Sequence, residues 1–273
     1  MRRSKMLEKL RRGDAVVSVN LSLSPEPLAI EIAGRAGIDG VWIDTEHRPF
    51  AQREVAAMIN AGRIADIDCY VRIRKGEGYT SFFRPLEDGA TGILVPHVAT
   101  REEAEWVSRN AKFPPLGRRG METMMPDADL GFVDPFEYVE HANRETFVII
   151  QIEDVEALDT VEEIAEVPGI DMFMIGPADL TFSMGIPLQL DHPDFKAAVR
   201  KIAAAAQANG KWWGLPVGDT EGVSKYYELG ARFFNLGGDY GMLKQGCLKI
   251  RSDFDSVMGN DALDVDSVDI ALP

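Results

Sequence analysis

The stretch GVWIDTEHRPFAQREVAAMINAGRIADIDCYVRI, Gly40–Ile73, decides how the chain is read. It opens on an apolar run, Gly40–Asp44, and closes on another, Cys69–Ile73. Between them Ala51–Ile64 carries apolar residues at three- and four-residue spacing, as an amphipathic helix does. Strand, helix, strand at this length is a parallel crossover unit, and strands apolar on both faces belong to a sheet covered on both sides. The first strand runs into Asp44, Glu46, His47 and Arg48, so ionisable groups gather where an apolar strand stops.

Working outward, the same alternation recurs without a shared sequence repeat. The other strand candidates are Ala15–Asn20, Gly92–Pro96, Phe147–Ile152, Met172–Ile175, Trp212–Val217 and Arg232–Leu236. The other helix-like stretches are Pro27–Ala36, Tyr79–Asp88, Arg101–Lys112, Val155–Glu166, Phe195–Asn209, Glu221–Leu229 and Tyr240–Ile250. Thr100 before Arg101-Glu102-Glu103 is an N-cap signal, and Gly210 is a C-cap signal. Eight strands each followed by a helix predict an α/β fold, a (β/α)8 TIM barrel forming a single domain over 1–260, with a helical C-terminal extension. A doubly wound open sheet is the runner-up. Phe113–Asp134, with PPLGRRG and MMPDADLG, is the longest irregular piece and reads as a functional or interface loop. The tail 261–273 is acidic and poorly periodic.

Composition narrows the function. Of 273 residues, 45% are hydrophobic, and 29 Lys plus Arg against 44 Asp plus Glu give a formal charge of −15. Such a field repels phosphate-rich partners, so nucleic acid and anionic membrane are not expected. No apolar run reaches the ~18 residues of a membrane helix, and the charged start MRRSKMLEKLRRGD lacks a signal-peptide core; both point to a cytoplasmic protein. Cys69 and Cys247 read as buried free thiols.

In a barrel the strand C-termini and the loops beyond them form the active face. Asp44, Glu46 and His47 follow strand two; Arg72 is in strand three; His97 follows strand four; Gln151 and Glu153 belong to strand five and its end; Asp179, Asp219 and Asp239 follow strands six, seven and eight. The opposite ends carry mostly glycine and turn residues with scattered charge. Glu153 and Asp179, after adjacent strands, suit a hard divalent cation with open positions. His47, three residues beyond Asp44, suits an acid–base residue oriented by that carboxylate. Arg72, flanked by Val71 and Ile73, either forms a salt bridge to Asp44 or Glu46 or faces a substrate oxyanion. His97 has no obvious acidic neighbour, and His141 and His192 read as structural. RKGEGY and LGGDYG read as turn glycines, not phosphate loops.

WIDTEH, YVRI, LEDGATGILVPHV, PPLGRRG, IIQIED, VPGIDMFMIGPADLTFSMG and ELGARFFNLGGD together resemble the HpcH/HpaI aldolase family of metal-dependent class II pyruvate aldolases. The resemblance covers almost the whole chain, and IGPADLT, QIE and DTEH are specific in combination. It implies reversible cleavage of a 4-hydroxy-2-oxo acid to pyruvate, or a close 2-keto acid, and an aldehyde, through a metal-stabilised enolate. It implies that Glu153 and Asp179 bind a divalent metal cation (Mg, Mn, Co or Zn) with Gln151 beside it, and that Arg72 stabilises the enolate. His47 would be the acid–base residue oriented by Asp44; backbone at Gly176, Pro177, Ala178 and Asp179 would hold the keto-acid carboxylate; Asp88 would support solvent near the metal. A Schiff-base lysine is disfavoured, because Lys211 precedes strand seven and Lys75 lies in a charged loop.

Arg48 stands where many relatives have a small residue and His97 where they often have an apolar one. METMMPDADLG lacks an arginine–alanine pair many relatives carry, and all three departures bear on the aldehyde. The resemblance further implies a homo-oligomer, trimer or hexamer, with the last helix on a neighbour and PPLGRRG near a subunit boundary. A related enolate lyase, synthase or decarboxylase of oxaloacetate or acyl-CoA type is the alternative, and a non-catalytic metal- or keto-acid-binding barrel is the third reading.

Overall fold

The computed structural model describes residues 1–259 apart from 75 and 77. The acidic tail and Lys75 lie outside the described residues. In chain order the elements are α1 (Lys5–Arg11), β1 (Val16–Leu21), α2 (Pro27–Arg35), β2 (Gly40–Asp44), α3 (Gln52–Ala65), β3 (Asp68–Arg72), α4 (Thr80–Glu87), β4 (Gly92–Val95) and α5 (Arg101–Ala111). There follow α6 (Pro135–Glu145), β5 (Phe147–Ile152), α7 (Val155–Ala165), β6 (Met172–Ile175), α8 (Pro177–Ser183), α9 (Pro193–Ala208), β7 (Trp212–Val217), α10 (Thr220–Glu228), β8 (Phe233–Gly238) and α11 (Asp239–Met258). The eight strands are parallel and close in sequence order, β8 pairing with β1: a TIM barrel with a C-terminal helix.

Alternation along each strand separates two cores. Val71, Ile93 and Ile150 face outward and pack beneath the helices. Trp42, Tyr70, Leu94, Phe147, Ile149, Met172, Met174 and Phe233 fill the barrel interior. Tyr70 sits among Trp42, Phe147 and Phe233 at centroid separations of 6.5, 6.0 and 5.7 Å. Two residues further along, the inward positions turn polar: Trp42 gives way to Asp44, Tyr70 to Arg72, Ile149 to Gln151 and Phe233 to Asn235. The β2–β3 register sets Asp44 opposite Arg72.

The other end differs from the sequence expectation of glycine and scattered charge. The short helix α1, unforeseen in the sequence, closes it with buried Met6, Leu7 and Leu10. Asp68, fully buried, accepts hydrogen bonds from Ser4 Oγ (2.6 Å), Met6 N (2.8 Å) and Arg2 Nη2 (2.9 Å). Lys9 pairs with Asp39 and Arg11 with Glu145, so an ion-paired layer covers the strand N-termini. Gly40 has a steric reason there, since a Cβ would collide with Met6 Sδ.

Two more helices, α6 and α8, also lie outside the expected elements. Asp134 caps α6 by accepting from Phe136 N and Glu137 N, with Pro135 at its first position. α11 runs past Ile250 to Met258. The long loop contains a 3₁₀ turn, Pro126–Gly131, and is pinned by Arg119, which is buried, stacks over Phe113 at 4.6 Å and donates to Asp127 at 2.6 Å. Cys69 is buried, and burial pushes its thiol up to about 12. Cys247 corrects the expectation of two buried thiols: it is exposed on α11, whose only buried residue is Asp255.

Candidate active site

β2 and β3 end side by side, and their last inward residues form one charged unit. Arg72 Nε donates to Asp44 Oδ1 at 3.0 Å and Nη2 to Asp44 Oδ2 at 2.8 Å, a bidentate pair. Nη1 lies 3.2 Å from Glu46 Oε2, and the guanidinium stacks 4.7 Å from the Trp42 ring. Burial alone would raise the Asp44 carboxyl. The Arg72 donors and charge, with the Glu46 N–H, outweigh it and hold Asp44 below the usual aspartate range. Here the expectation for His47 needs correction: Asp44 is committed to Arg72, and the carboxylate nearest the His47 ring is Glu46, Oε2 to Nε2 at 3.6 Å. His47 stands at the rim, its side chain 57% exposed.

β5 and β6 end with the second group. Glu153 is 1% exposed, and burial, reinforced by the charge of Asp179, pushes its carboxyl up to about 7 against the opposing pull of His97 and Arg72. Gln151 Nε2 donates to Glu153 Oε2, while Gln151 Oε1 is buried with no hydrogen-bond donor among the described residues. Gly176 packs against this pair: a Cβ there would collide with the Glu153 carboxylate and come within 2.8 Å of Gln151 Nε2. Pro177 and Ala178 follow as the first turn of α8, which also carries Asp179. Two carboxylates and an amide oxygen without a donor fit a hard divalent cation. Among the described residues no three His, Cys, Asp or Glu side chains are arranged to hold a metal ion by themselves, so such a cation would take its remaining ligands from solvent or substrate.

His97 corrects the sequence reading, which found it no acidic partner. Its N–H donates to Glu153 Oε1 at 2.9 Å, and its Nδ1 lies 3.1 Å from Asp154. Asp88 is not gathered with the others. It is the C-cap residue of α4, accepts from Arg84 at 3.0 Å and lines a separate cleft with Thr45, Ile73 and Arg74. Arg48 donates to the His47 carbonyl, and Arg74 holds the same turn by donating to the Thr45 and Arg48 carbonyls. Asp219 caps α10, and Asp239 accepts from Ser22 N and Leu23 N, so both serve their loops. Lys211 donates to the Val167 and Ile170 carbonyls at the strand N-termini, the wrong end for a Schiff base.

Trp42 under Arg72 and Asp154 beside His97 were missed in the sequence. Trp42 reads as plain core, and Asp154 has no role assigned from the sequence. Period-two alternation, which sets residue 42 on the same face as 44, was the signal available for the first.

The HpcH/HpaI aldolase/citrate lyase family profile matches residues 20–245. A hydroxypyruvate/pyruvate aldolase of Pseudomonas aeruginosa is 32% identical over 248 residues, covering 90% of this chain and 91% of that relative. A 2-keto-3-deoxy-L-rhamnonate aldolase of Salmonella paratyphi B is 34% identical over 234 residues, 85% of this chain and 86% of its own. The crystal structure of an HpcH/HpaI aldolase from Desulfitobacterium hafniense matches with a TM-score of 0.87 at 30% identity, covering 92% of this chain and 96% of that one. Near-full-length similarity in sequence and in the closed barrel has one reading: the chain belongs to the HpcH/HpaI aldolase/citrate lyase family and is a carbon–carbon lyase.

Proposed function

We propose that this lyase reversibly cleaves a 4-hydroxy-2-oxo acid to pyruvate, or a close 2-keto acid, and an aldehyde, with a divalent cation (magnesium, manganese, cobalt or zinc) as cofactor. The observation that carries the reading is the buried Glu153 carboxylate, within electrostatic reach of both Asp179 and Arg72 at the barrel mouth. A cation held by Glu153 and Asp179, with Gln151 alongside, supplies Lewis acidity towards the keto acid.

The chain's own residues do the rest. Arg72, immobilised by Asp44, Glu46 and Trp42, keeps two of its five N–H donors outside those three contacts and offers a fixed positive charge to the developing enolate. The backbone of Gly176, Pro177, Ala178 and Asp179 holds the keto-acid carboxylate. His47 takes the proton from the C4 hydroxyl as the C3–C4 bond breaks; that bond's electron pair enters the enolate, which is reprotonated at C3 to give pyruvate. Glu46 beside His47 orients the ring, the part first assigned to Asp44.

The same reading makes the protein a homo-oligomer, trimer or hexamer. Supporting it, α11 exposes Leu243, Cys247, Ile250, Phe254 and Val257 at alternating four- and three-residue spacing, one apolar stripe along the helix.

Chelator-treated protein is expected to stop releasing pyruvate from a 4-hydroxy-2-oxo acid and to recover with magnesium, manganese or cobalt. Full activity in metal-free protein contradicts the mechanism.

A further inference from the structure

His97 follows β4 with φ of +54°, a left-handed conformation disfavoured for a residue carrying a Cβ. That conformation accompanies an N–H aimed at Glu153 Oε1, 2.9 Å away. The ring Nδ1 lies 3.2 and 3.1 Å from the two Asp154 oxygens and 3.5 Å from Glu153 Oε1. A carboxylate only accepts, so Nδ1 carries the proton in the contact with Asp154.

Asp154 is unusual in turn. It occupies the N-cap of α7, where an aspartate ordinarily accepts from the first helical N–H groups, yet it makes no such bond. Val155 N–H donates instead to Ser183 Oγ at 2.9 Å, and Ser183 lies on α8, the helix that carries Asp179. The Asp154 carboxylate is thus turned from its own helix to the His97 ring, and α8 supplies the cap. The loops after β4, β5 and β6 are tied together at the two carboxylates.

We propose that His97 is a positioning residue that, through Glu153 and Asp154, fixes the two carboxylate-bearing loops in the spacing the cation requires. This rests on the reading of Glu153 and Asp179 as its ligands. Groups that hydrogen-bond metal ligands in this way typically govern affinity by roughly 10- to 100-fold.

Two substitutions separate backbone from ring. His97→Gly accommodates the left-handed backbone and its N–H bond to Glu153 but loses the ring. His97→Asn also tolerates this φ and restores a side-chain N–H for Asp154. Mn²⁺ binding is read by electron paramagnetic resonance, with circular dichroism and melting temperature as fold controls. The expected result is a dissociation constant roughly 10- to 100-fold weaker in H97G, recovered to within about threefold of wild type in H97N, and no fall in melting temperature in H97G. Wild-type affinity in H97G, or H97N as weak as H97G, overturns the proposal. Glu153→Gln measured in parallel distinguishes the deeper failure: if it binds Mn²⁺ as wild type does, the ligand assignment is wrong and the role of His97 falls with it.

Discussion

Asp44 stands between two basic side chains, and the barrel gives it to Arg72. The β2–β3 register places the two opposite each other, both inward and both nearly free of solvent, so the guanidinium is neutralised by the partner that costs least to reach. Asp44→Ala leaves Arg72 with Glu46 alone; it should cost about 3 kcal/mol of stability, the low end for a broken buried pair, and reduce pyruvate release. The pH dependence has a definite sign. A carboxyl depressed in the folded state contributes stability that is full above its unfolded value, near 3.8, and is lost as pH falls through the lower folded value. Melting midpoints between about pH 5 and pH 2 should therefore fall more steeply for wild type than for D44A, and parallel curves would contradict the account. The identities of Asp44, Arg72, His47, Glu153 and Asp179 were legible as candidates because strand ends are legible. The ion pairs of Arg72 with Asp44 and Glu46 were legible as one of two alternatives, but the carboxylate beside His47 was not, because three residues of chain separation says nothing about which side chain turns inward.

α1 shows how the two barrel ends divide their work. Its three buried residues and the bonds that Ser4, Met6 and Arg2 make to Asp68 seal the strand N-termini, far along each strand from the polar mouth. Asp68→Ala strips three donors of their acceptor and leaves Arg2 short of its partner, which should cost about 3 kcal/mol in a urea melt. Because the chemistry of a barrel sits at the opposite end, kcat/KM at permissive temperature should stay at the wild-type value. A drop in turnover matching that of D44A would show that the ends are coupled. α1 escaped the sequence reading because it is short and strongly charged, its apolar face reduced to Met6, Leu7 and Leu10. α6 escaped because it follows an irregular stretch, although Asp134-Pro135 marks its start.

At the scale of the molecule, the closed barrel was readable from the alternation of strands and helices, since each strand is apolar on two faces and each helix on one. What exceeded the sequence was the apolar stripe that α11 leaves exposed. Its stripe of Leu243, Cys247, Ile250, Phe254 and Val257 lies open in the single chain, and the exposed Cys247 belongs to that stripe. Light scattering should give a multiple of the 30.1 kDa chain mass, with Ile250→Asp shifting it towards the monomer; a wild-type monomer contradicts an oligomer built on this helix. Glu153 is the buried carboxylate on which the proposed cation chemistry depends. The direct test is kcat/KM for pyruvate release by Glu153→Gln, nearly isosteric and uncharged. Loss of several kcal/mol of transition-state stabilisation predicts a fall on the order of 10³-fold with the circular dichroism spectrum unchanged. Turnover within about threefold of wild type, less than 1 kcal/mol of barrier, would contradict it.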